Sequence, residues 1–301
     1  MPTPPATDQL RDAARALARA IEPVVGQVYF APECHARYAK LGFSPSPGSS
    51  KDGVAFPDGP AYFTSRGSAL GHAPGELVAA AFGVFNPEVV VPSVTYGWSL
   101  TDAATIAEER LLGATEQLAR LLGEHPEGVE RASELVARAL EPLEPYGRAL
   151  FAGTLSQPLP GTPLGDIFRL GDRLREFRGD SHIAAWVAAG FDATEIGLLT
   201  EPYWRLPSRT YVRTRGWSDA QLDAAEERLR SAGLFDADGL TDAGVQARED
   251  IELATDAQMA PAIEALGDDL DELLQLLTTM SRRVMAAAGY PPSPLAISSQ
   301  P

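Results

Sequence analysis

The sequence lacks the residues that build covalent and metal frameworks. One cysteine, Cys34, in 301 residues excludes an intramolecular disulfide and a thiolate metal cluster. The four histidines never stand at the i, i+4 spacing of a helical metal pair, so a metal could be held only by side chains distant in sequence. Phosphate loops, dinucleotide fingerprints and nucleophile elbows are missing as well. We therefore predict no metal and no cofactor.

Long apolar runs and lysines are also scarce. No run is long enough to span a bilayer, and the opening MPTPPATDQL has neither the basic leader nor the apolar core of an export signal. We therefore expect a soluble cytoplasmic protein. Only two lysines occur, and 41 acidic residues oppose 25 basic ones for a net charge of -16. A surface this acidic repels nucleic acids and anionic membranes unless a local basic patch overrides it.

What the sequence does contain is apolar residues at helical spacing along most of its length, which predict a mainly α fold. Residues 1–163 are predicted to form an N-terminal helical module that contains a ligand pocket. Its clearest helix covers residues 101–122, with Thr101 as the cap and Leu112 among the inward residues. Another helix is expected near Pro74, with Leu77 on its packed face.

The remaining chain predicts a winged helix-turn-helix-like module over residues 164–255. A long helix at 164–189, which Gly179 could kink, precedes two shorter helices, and LFDADGLT predicts one short β-hairpin as the wing. Residues 256–290 are expected to form one helix that either packs back on the N-terminal module or makes a homodimer interface. Residues 291–301 are predicted to be a disordered tail.

The spacing of small and apolar residues after residue 228 resembles the recognition helix and wing of bacterial regulators of the MarR type. More broadly, VYFAPE, AYFTSRGSALG, FNP and FRGDSHIAA are similar to segments of an uncharacterised actinobacterial family that carries a helix-turn-helix label. That resemblance covers most of the chain and implies a histidine before the VYF step, where this chain has Val24 and Val25. A chemistry that depends on this histidine would be missing here. The MarR resemblance is carried by Leu229, Gly233, Leu234, Leu240, Thr241 and Gly244.

The charge of the predicted winged module argues against nucleic acid as a partner. Residues 181–301 contain nine arginines, no lysine and nineteen acidic residues, a formal charge of -10. The predicted recognition helix carries Asp219 and Asp223, and the wing carries Asp236 and Asp238, where DNA binding needs basic residues. One basic cluster, in YWRLPSRTYVRTRGW, alternates with aromatic residues. It could meet a nucleic-acid backbone, or it could be a solvated connector that pairs with the acidic helices.

The segment EFRGDSHIAAW, residues 176–186, has the densest polar chemistry of the chain. Arg178, His182 and Trp186 are four residues apart, which places them on one face of the predicted helix. A histidine that titrates near neutrality can exchange a proton with a substrate, and a neighbouring arginine can hold a carboxylate or an oxyanion. We therefore predict His182 as the proton carrier, Arg178 as the anion clamp and Asp180 as the group that orients the imidazole. The alternative is an internal ion-paired network without a catalytic role.

The N-terminal module offers further pocket residues at three helix breaks. Aromatic and polar side chains stand together in VYFAPE, AYFTSRG and FGVFNP, and such groups typically line a pocket for a mostly apolar ligand with a few polar fixing points. Core aromatics and helix caps would produce the same pattern. The predicted substrate-binding residues are Tyr29, Glu33, Tyr62, Arg66, Asn86 and Trp186.

Together these observations predict a protein that binds a small-molecule ligand. The main hypothesis is a metal-independent and cofactor-independent acid/base enzyme acting on an apolar, oxygenated molecule of secondary metabolism. The alternative hypothesis, from another functional class, is a ligand-responsive winged-helix transcriptional regulator. The two differ in whether DNA is a partner and in whether His182 takes part in turnover.

Overall fold

The computed structural model describes residues 8–237 and 239–292, and α-helices make up most of them. Up to residue 188 the helices are α1 (Asp8–Gly26), α2 (Pro32–Lys40), α3 (Gly59–Gly67), α4 (Gly75–Phe82), α5 (Pro87–Leu100), α6 (Ala103–Leu122), α7 (Val129–Leu140), α8 (Ala149–Leu155) and α9 (Pro163–Ala188). They are followed by α10 (Ala193–Tyr203), α11 (Asp219–Ser231), α12 (Asp242–Gln258), α13 (Ala260–Leu266) and α14 (Leu270–Ala286). Short 3-10 turns lie at Gln27–Phe30, Ser68–Leu70, Val212–Arg215 and Gly267–Asp269.

The wing is a hairpin of two short strands, β1 (Phe235–Asp236) and β2 (Gly239–Leu240), which pair antiparallel with Phe235 opposite Leu240. Gly239 has a φ of +114°, a backbone conformation that only glycine adopts without strain. Helices with one short hairpin confirm the predicted mainly α fold class. The predicted wing residue Asp238 and residues 293–301 of the predicted tail lie outside the described residues.

Helix α9 is the central element, because it packs against α1, α6, α7, α8 and α12. Pro163 stands in its first turn, where the missing N–H has no partner to lose, and the helix continues through Gly179 to Ala188. Its buried residues include Asp172, Glu176 and Asp180 as well as many apolar side chains. Buried carboxylates need partners inside the fold, so α9 gathers polar groups from its neighbours.

The main core lies between α1, α6, α7, α9 and α14. Val24, Ile106, Leu135, Phe168 and Leu277 are buried there, each with no more than 1% of its surface exposed. Truncation of such a side chain, as in Leu135→Ala, costs about 2–5 kcal/mol because the cavity it leaves closes only in part. This core fixes the helices that carry the candidate site.

Two smaller clusters flank the main core. Phe63, Phe82 and Phe85 pack together among α3, α4 and the start of α5, with ring centroids 5.1–6.2 Å apart. Leu199 and Leu222 belong to a separate cluster that holds α10 and α11 together beside the hairpin. The segment 191–240, which contains α10, α11 and the hairpin and corresponds to the predicted winged part, therefore has an apolar core of its own.

The caps of the winged helices follow the local sequence closely. Asp192 begins α10 and Ser218 begins α11, and each forms a capping box, with Glu195 and Gln221 respectively. Each cap supplies acceptors for N–H groups of the first turn, which stabilises a helix end by about 1 kcal/mol. The predicted cap of α6 was wrong, because Asp102 rather than Thr101 accepts the Thr105 N–H, at 2.9 Å.

Two apolar residues predicted to face inward are exposed instead. Leu77 on α4 has 50% of its surface exposed, and Leu112 on α6 has 39%. The inner face of α6 is taken partly by Arg110 and Gln117, which are buried polar residues that a pattern of apolar spacing does not count. The pattern therefore assigned the wrong face to Leu112.

The predicted single helix after residue 255 is divided in the structure. Helix α12 ends at Gln258, Pro261 occupies the first turn of α13, and Gly267, with a φ of +52°, separates α13 from α14. Helix α14 packs against α1, α6 and α7 and buries Leu273 and Leu277 within the same chain. A homodimer through this helix stays a prediction.

Candidate functional site

A cleft of about 1180 Å³ opens between two parts of the fold. On one side lies the helical body, by which we mean α1–α9 and α12–α14 with their connections, and on the other lie residues 203–216, the segment that joins α10 to α11. Its volume suffices for a small organic molecule, since pockets for such ligands commonly measure about 300–1,000 Å³. Its described lining includes five aromatic side chains from the body, Tyr29, Phe30, Tyr62, Phe63 and Phe85.

Helical spacing brings polar side chains to the body side of the cleft. Arg15, Arg19 and Glu22 lie at i, i+4 and i+7 on α1, and Arg175 and Arg178 lie three residues apart on α9. Residues at these spacings share one face of a helix. Each helix therefore presents a stripe of charge to the cleft while its other faces pack in the core.

The lining is positively charged although the chain is acidic. Six arginines and two glutamates give the lining residues a formal charge of +4, against -16 for the whole chain. A cleft with this charge favours an anionic occupant over a cationic one. The arginines are Arg15, Arg19, Arg175, Arg178, Arg213 and Arg215, and the glutamates are Glu22 and Glu252.

A buried ion network supports the body side of the cleft. Arg66 donates two hydrogen bonds to Glu176, at 2.9 and 2.7 Å, and Arg175 donates a third at 3.1 Å. Burial alone would raise the pKa of Glu176, but Arg66 and Arg175 outweigh it and lower that pKa to about 2. Arg110 makes a similar two-bond pair with Asp172, at 2.8 and 3.1 Å.

Tyr29 connects this network to the cleft. Its hydroxyl oxygen accepts hydrogen bonds from Arg175, at 3.3 Å, and from Arg110, at 3.4 Å. Burial raises the pKa of Tyr29 to about 12 despite these arginines, so the phenol stays protonated at neutral pH. Within residues 8–237 and 239–292 its hydroxyl hydrogen has no acceptor, and it can therefore donate to an oxygen of a ligand.

Tyr62 stands beside Tyr29, with the two ring centroids 5.0 Å apart. Its hydroxyl makes no hydrogen bond with any residue that the structure describes. The cleft thus offers two neighbouring phenol groups to a ligand. Both were predicted as substrate-binding residues, and the structure brings them together.

Arg178 lines the cleft, but its charge is already paired. It donates hydrogen bonds to Glu252, at 3.1 Å, and to Asp256, at 2.9 Å, and both carboxylates belong to α12. Arg248 forms a further ion pair with Glu252, at 2.6 Å. Arg178 therefore joins α9 to α12. To bind Arg178 as the predicted anion clamp, a ligand would have to compete with these two carboxylates.

His182 is not among the residues that line the described cleft. Its Nδ1 lies 3.0 Å from the Thr255 hydroxyl and 4.0 Å from a Glu252 carboxylate oxygen. Burial lowers the pKa of His182 to about 4, with Glu252 opposing the shift, so the imidazole is neutral at pH 7. His182 and Arg178 do share a face of α9, as the sequence predicted, and that face meets α12.

Asp180 points away from His182 and supports α8. Its Oδ2 accepts the Phe151 N–H at 2.9 Å, near the start of that helix. Burial raises the pKa of Asp180 to about 6 in spite of this bond. No hydrogen bond between Asp180 and His182 is found in the described chain, so the predicted orienting role has no contact to act through.

Four other predicted site residues are absent from the described cleft lining. Arg66 is bonded to Glu176 below the floor, and Glu33 pairs with Arg120 at 2.5 Å on the outside of α2. Trp186 is buried in a small apolar cluster with residues of α9, α10 and α12. Asn86 caps α5, and it also donates from its amide to the Gly216 carbonyl at 2.9 Å. It therefore ties the body to the opposite wall.

That opposite wall, residues 203–216, was not predicted as part of the site. Arg215 contacts the rings of both Phe85 and Tyr211, with its guanidinium carbon 4.7 and 4.3 Å from the two ring centroids. Trp204 has 44% of its surface exposed and packs edge-on against Tyr211. The sequence signal for this wall is YWRLPSRTYVRTRGW, where arginines alternate with aromatic residues, a pattern that by itself predicts a contact with a nucleic-acid backbone or a solvated connector.

A buried carboxylate holds this wall in place. Glu201, with 1% of its surface exposed, accepts the backbone N–H of Arg209 at 2.6 Å and that of Val212 at 3.0 Å. Arg205 and Arg209 both have left-handed φ values, +58° and +57°, which cost a non-glycine residue about 1 kcal/mol or more each. The surrounding bonds therefore impose the shape of the wall.

Two other arginines of the wall, Arg209 and Arg213, and the arginines of α11 are matched by acidic residues. Arg209 pairs with Asp223 and Glu226, at 2.6 and 2.7 Å, and Arg213 pairs with Asp219 at 2.7 Å. These pairs neutralise two of the four arginines of the predicted basic cluster. What is left on the exposed side of α11 includes Glu227, which repels phosphate.

Residues 8–237 and 239–292 do not present a metal site or a single membrane-spanning helix. No group of three or more histidine, cysteine, aspartate or glutamate side chains there is arranged to hold a metal ion. No single helix has the length and apolar character to cross a bilayer; α9 and α10 meet that requirement only as a pair bent by 108°.

Comparison with known proteins gives one match. The model of a helix-turn-helix family matches residues 14–291, which is most of the chain. No protein with a curated description and no solved structure shows significant similarity. The predicted helix-turn-helix label is confirmed, while the MarR likeness and the actinobacterial origin stay predictions.

Proposed function

Since the chain belongs to this helix-turn-helix family, we propose that it is a small-molecule-binding protein whose ligand joins the helical body to the winged part. The observation that carries the proposal is the cleft of about 1180 Å³ between the two. An aromatic floor and two phenol hydroxyls suit a mostly apolar molecule that bears oxygen atoms, as the sequence predicted. Tyr29 and Tyr62 would be its polar fixing points.

Binding can be tested by closing the cleft. A Cβ placed on Gly59 meets no atom within 4 Å, and Gly59 lines the cleft, so Gly59→Trp should put an indole into the space without displacing the fold. The matched control is Ala104→Trp, which adds the same group to an exposed position on α6 outside the described lining. The probe is N-phenyl-1-naphthylamine, a neutral aromatic amine whose fluorescence rises in apolar sites.

We expect saturable binding of this probe to the unmodified protein and to Ala104→Trp, and its loss in Gly59→Trp. Circular dichroism and thermal unfolding would confirm that both variants fold. Equal binding of this probe to the two variants would disprove the proposal, and so would failure of both this probe and its sulfonated analogue 1-anilinonaphthalene-8-sulfonate to bind the unmodified protein.

A ligand-responsive transcriptional regulator is the second candidate, and family membership favours it over an enzyme. The cleft wall runs directly into Ser218, the cap of α11, which would be the recognition helix of such a regulator. Asn86 and Trp217 tie this wall to the body, through bonds of 2.9 Å from Asn86 N to the Arg215 carbonyl and 3.0 Å from Trp217 Nε1 to the Val84 carbonyl. A ligand that shifted the wall would also shift α11.

The regulator hypothesis requires DNA binding, which the acidic surface of α11 opposes. A mobility shift with DNA from upstream of the chain's own gene, at low and at high salt, tests it directly. A regulator would retard this DNA at low salt, and the retardation would weaken as salt rises. Absence of any shift at low salt would remove this candidate and leave ligand binding as the function.

An acid/base enzyme that uses His182 has less support. The imidazole does not line the described cleft, and it is neutral and bonded to Thr255. The hypothesis remains testable, because His182→Ala should abolish turnover of a substrate that binds in the cleft while the protein stays folded. Normal turnover by that variant would exclude His182 from the mechanism.

A further inference from the structure

Arg215 differs from the other arginines of the cleft in what surrounds its charge. Arg15, Arg175, Arg178 and Arg213 each form an ion pair with at least one carboxylate. The guanidinium of Arg215 has no carboxylate partner and donates no hydrogen bond to the residues that the structure describes, and its Nε is buried without a partner. Its charge faces the two rings of Phe85 and Tyr211.

Arg19 also lacks a carboxylate partner among the described residues, but its situation is different. Its side chain is exposed on α1, so water satisfies its donors. Arg215 is partly buried, and its contacts with two aromatic rings hold the guanidinium without using any N–H group. A fixed guanidinium with free donors is the usual receptor for a carboxylate, sulfonate or phosphate.

We infer that the cleft takes an aromatic organic anion, and that Arg215 is the residue that binds its acidic group. The inference rests on the proposed function and narrows the class of ligand. The acidic group would accept hydrogen bonds from Arg215, and the flat part of the molecule would lie against the aromatic lining. Trp204, which is exposed beside Tyr211, is a suitable surface for a ring.

Two fluorescent probes that differ in one acidic group test the inference. They are 1-anilinonaphthalene-8-sulfonate and N-phenyl-1-naphthylamine, which share the same aromatic skeleton with and without a sulfonate. Gly59→Trp supplies the background for binding outside the cleft. We expect the unmodified protein to bind the sulfonate about tenfold or more tightly than the neutral probe, as one ion-paired contact provides.

Substitutions of single arginines then identify the residue that binds the sulfonate group. Arg215→Met should weaken binding of the sulfonate about tenfold and leave the neutral probe within about twofold. The matched control Arg230→Met removes an arginine of α11 that is paired with Glu226 outside the described cleft lining, and it should change neither affinity by more than about twofold. If Arg215→Met does not fold, Arg215→Gln replaces it: loss of the charge should remove the preference for the sulfonate, and an unchanged preference with retained probe binding would overturn the inference.

The outcomes separate the inference from the proposed function. Equal affinity of the two probes for the unmodified protein, or an equal loss of both in Arg215→Met, would overturn the anion assignment and leave ligand binding intact. Failure of both probes to bind the cleft would contradict the proposed function itself, and the inference would fall with it.

Discussion

The two walls of the cleft use arginine in opposite ways. On the body side, Arg175 and Arg178 reach the cleft from α9 but give their charge to carboxylates of the fold. On the other side, Arg215 is held by two aromatic rings and keeps its hydrogen-bond donors free. An arginine beside the cleft that already pairs with a carboxylate has fewer free donors and less net charge to offer a ligand.

The largest effect is expected when a buried carboxylate that pairs with arginines on the body side of the cleft is neutralised. Glu176→Gln removes the charge that Arg66 and Arg175 share deep under the floor, and buried guanidinium groups left without their partner should cost about 3–5 kcal/mol of the unfolding free energy. Urea unfolding at pH 7 measures this loss. Glu116→Gln, at the exposed end of an ion pair with Arg37, should cost less than about 1 kcal/mol. Equal losses would show that burial does not separate these pairs.

The second-largest expected effect is a loss of stability on acidification that is caused by His182, which contacts Thr255 of α12. The folded pKa of about 4 lies below the ordinary value of 6.5, so as pH falls from 6.5 the unfolded chain takes up a proton before the folded chain does. The native state should therefore lose up to about 3 kcal/mol between pH 6.5 and pH 4. Denaturant unfolding of the unmodified protein and of His182→Asn at pH 7 and pH 4.5 measures it, since the variant lacks this loss.

Asp180 provides a control of opposite sign. Its folded pKa of about 6 lies above the ordinary 3.8, so the folded chain binds a proton first as pH falls from 6 toward 4. Relative to Asp180→Asn, the unmodified protein should gain stability across that range. A shift of the same sign in both pairs of proteins would contradict the opposite environments assigned to the two side chains.

A smaller effect compares the two phenols of the floor. Tyr29→Phe removes the oxygen that accepts bonds from Arg110 and Arg175, and it should cost about 1–2 kcal/mol of stability. Tyr62→Phe removes a hydroxyl without a partner in the described structure, and it should be nearly neutral. Thermal unfolding of both variants decides the point; a larger loss for Tyr62→Phe would reverse the assignment.

The smallest effect is expected on the winged side. Arg213 and Asp219 form an ion pair in which both side chains are more than half exposed, so Arg213→Met should change the unfolding free energy by less than about 0.5 kcal/mol. Urea unfolding at low and high salt checks this. A loss of unfolding free energy above about 1 kcal/mol would mean that this ion pair stabilises the fold more than an exposed pair normally does.

Local features of the fold were predictable from the sequence, and distant pairings were not. The caps at Ser218 and Asp192 and the hairpin at Gly239 depend on residues within three or four positions of one another. Helical spacing likewise placed Arg178 and His182 on one face of α9. What stands opposite that face, the carboxylates of α12, lies 74 to 78 residues away along the chain, and no local pattern reports it.

The candidate site shows the same division. Tyr29, Tyr62 and Arg178 were named from the sequence and line the cleft, because aromatic residues at helix breaks and charged stripes on helices are local signals. Arg215 stood in a segment that was noticed, but its role depends on Phe85, which lies 130 residues earlier. Only the fold could show that Arg209 and Arg213 pair with acidic residues of α11, whereas Arg215 has no acidic partner among the described residues.

The carboxylate of Glu201 has a consequence for the rate at which a ligand associates. Glu201 accepts hydrogen bonds from two backbone amides of the α10–α11 connection, so this wall of the cleft is formed in the absence of a ligand. Because the wall is preorganised, ligand binding does not have to offset the entropy of ordering a loop. Association would then be governed by diffusion and by attraction to the positive lining, and it would slow as ionic strength rises.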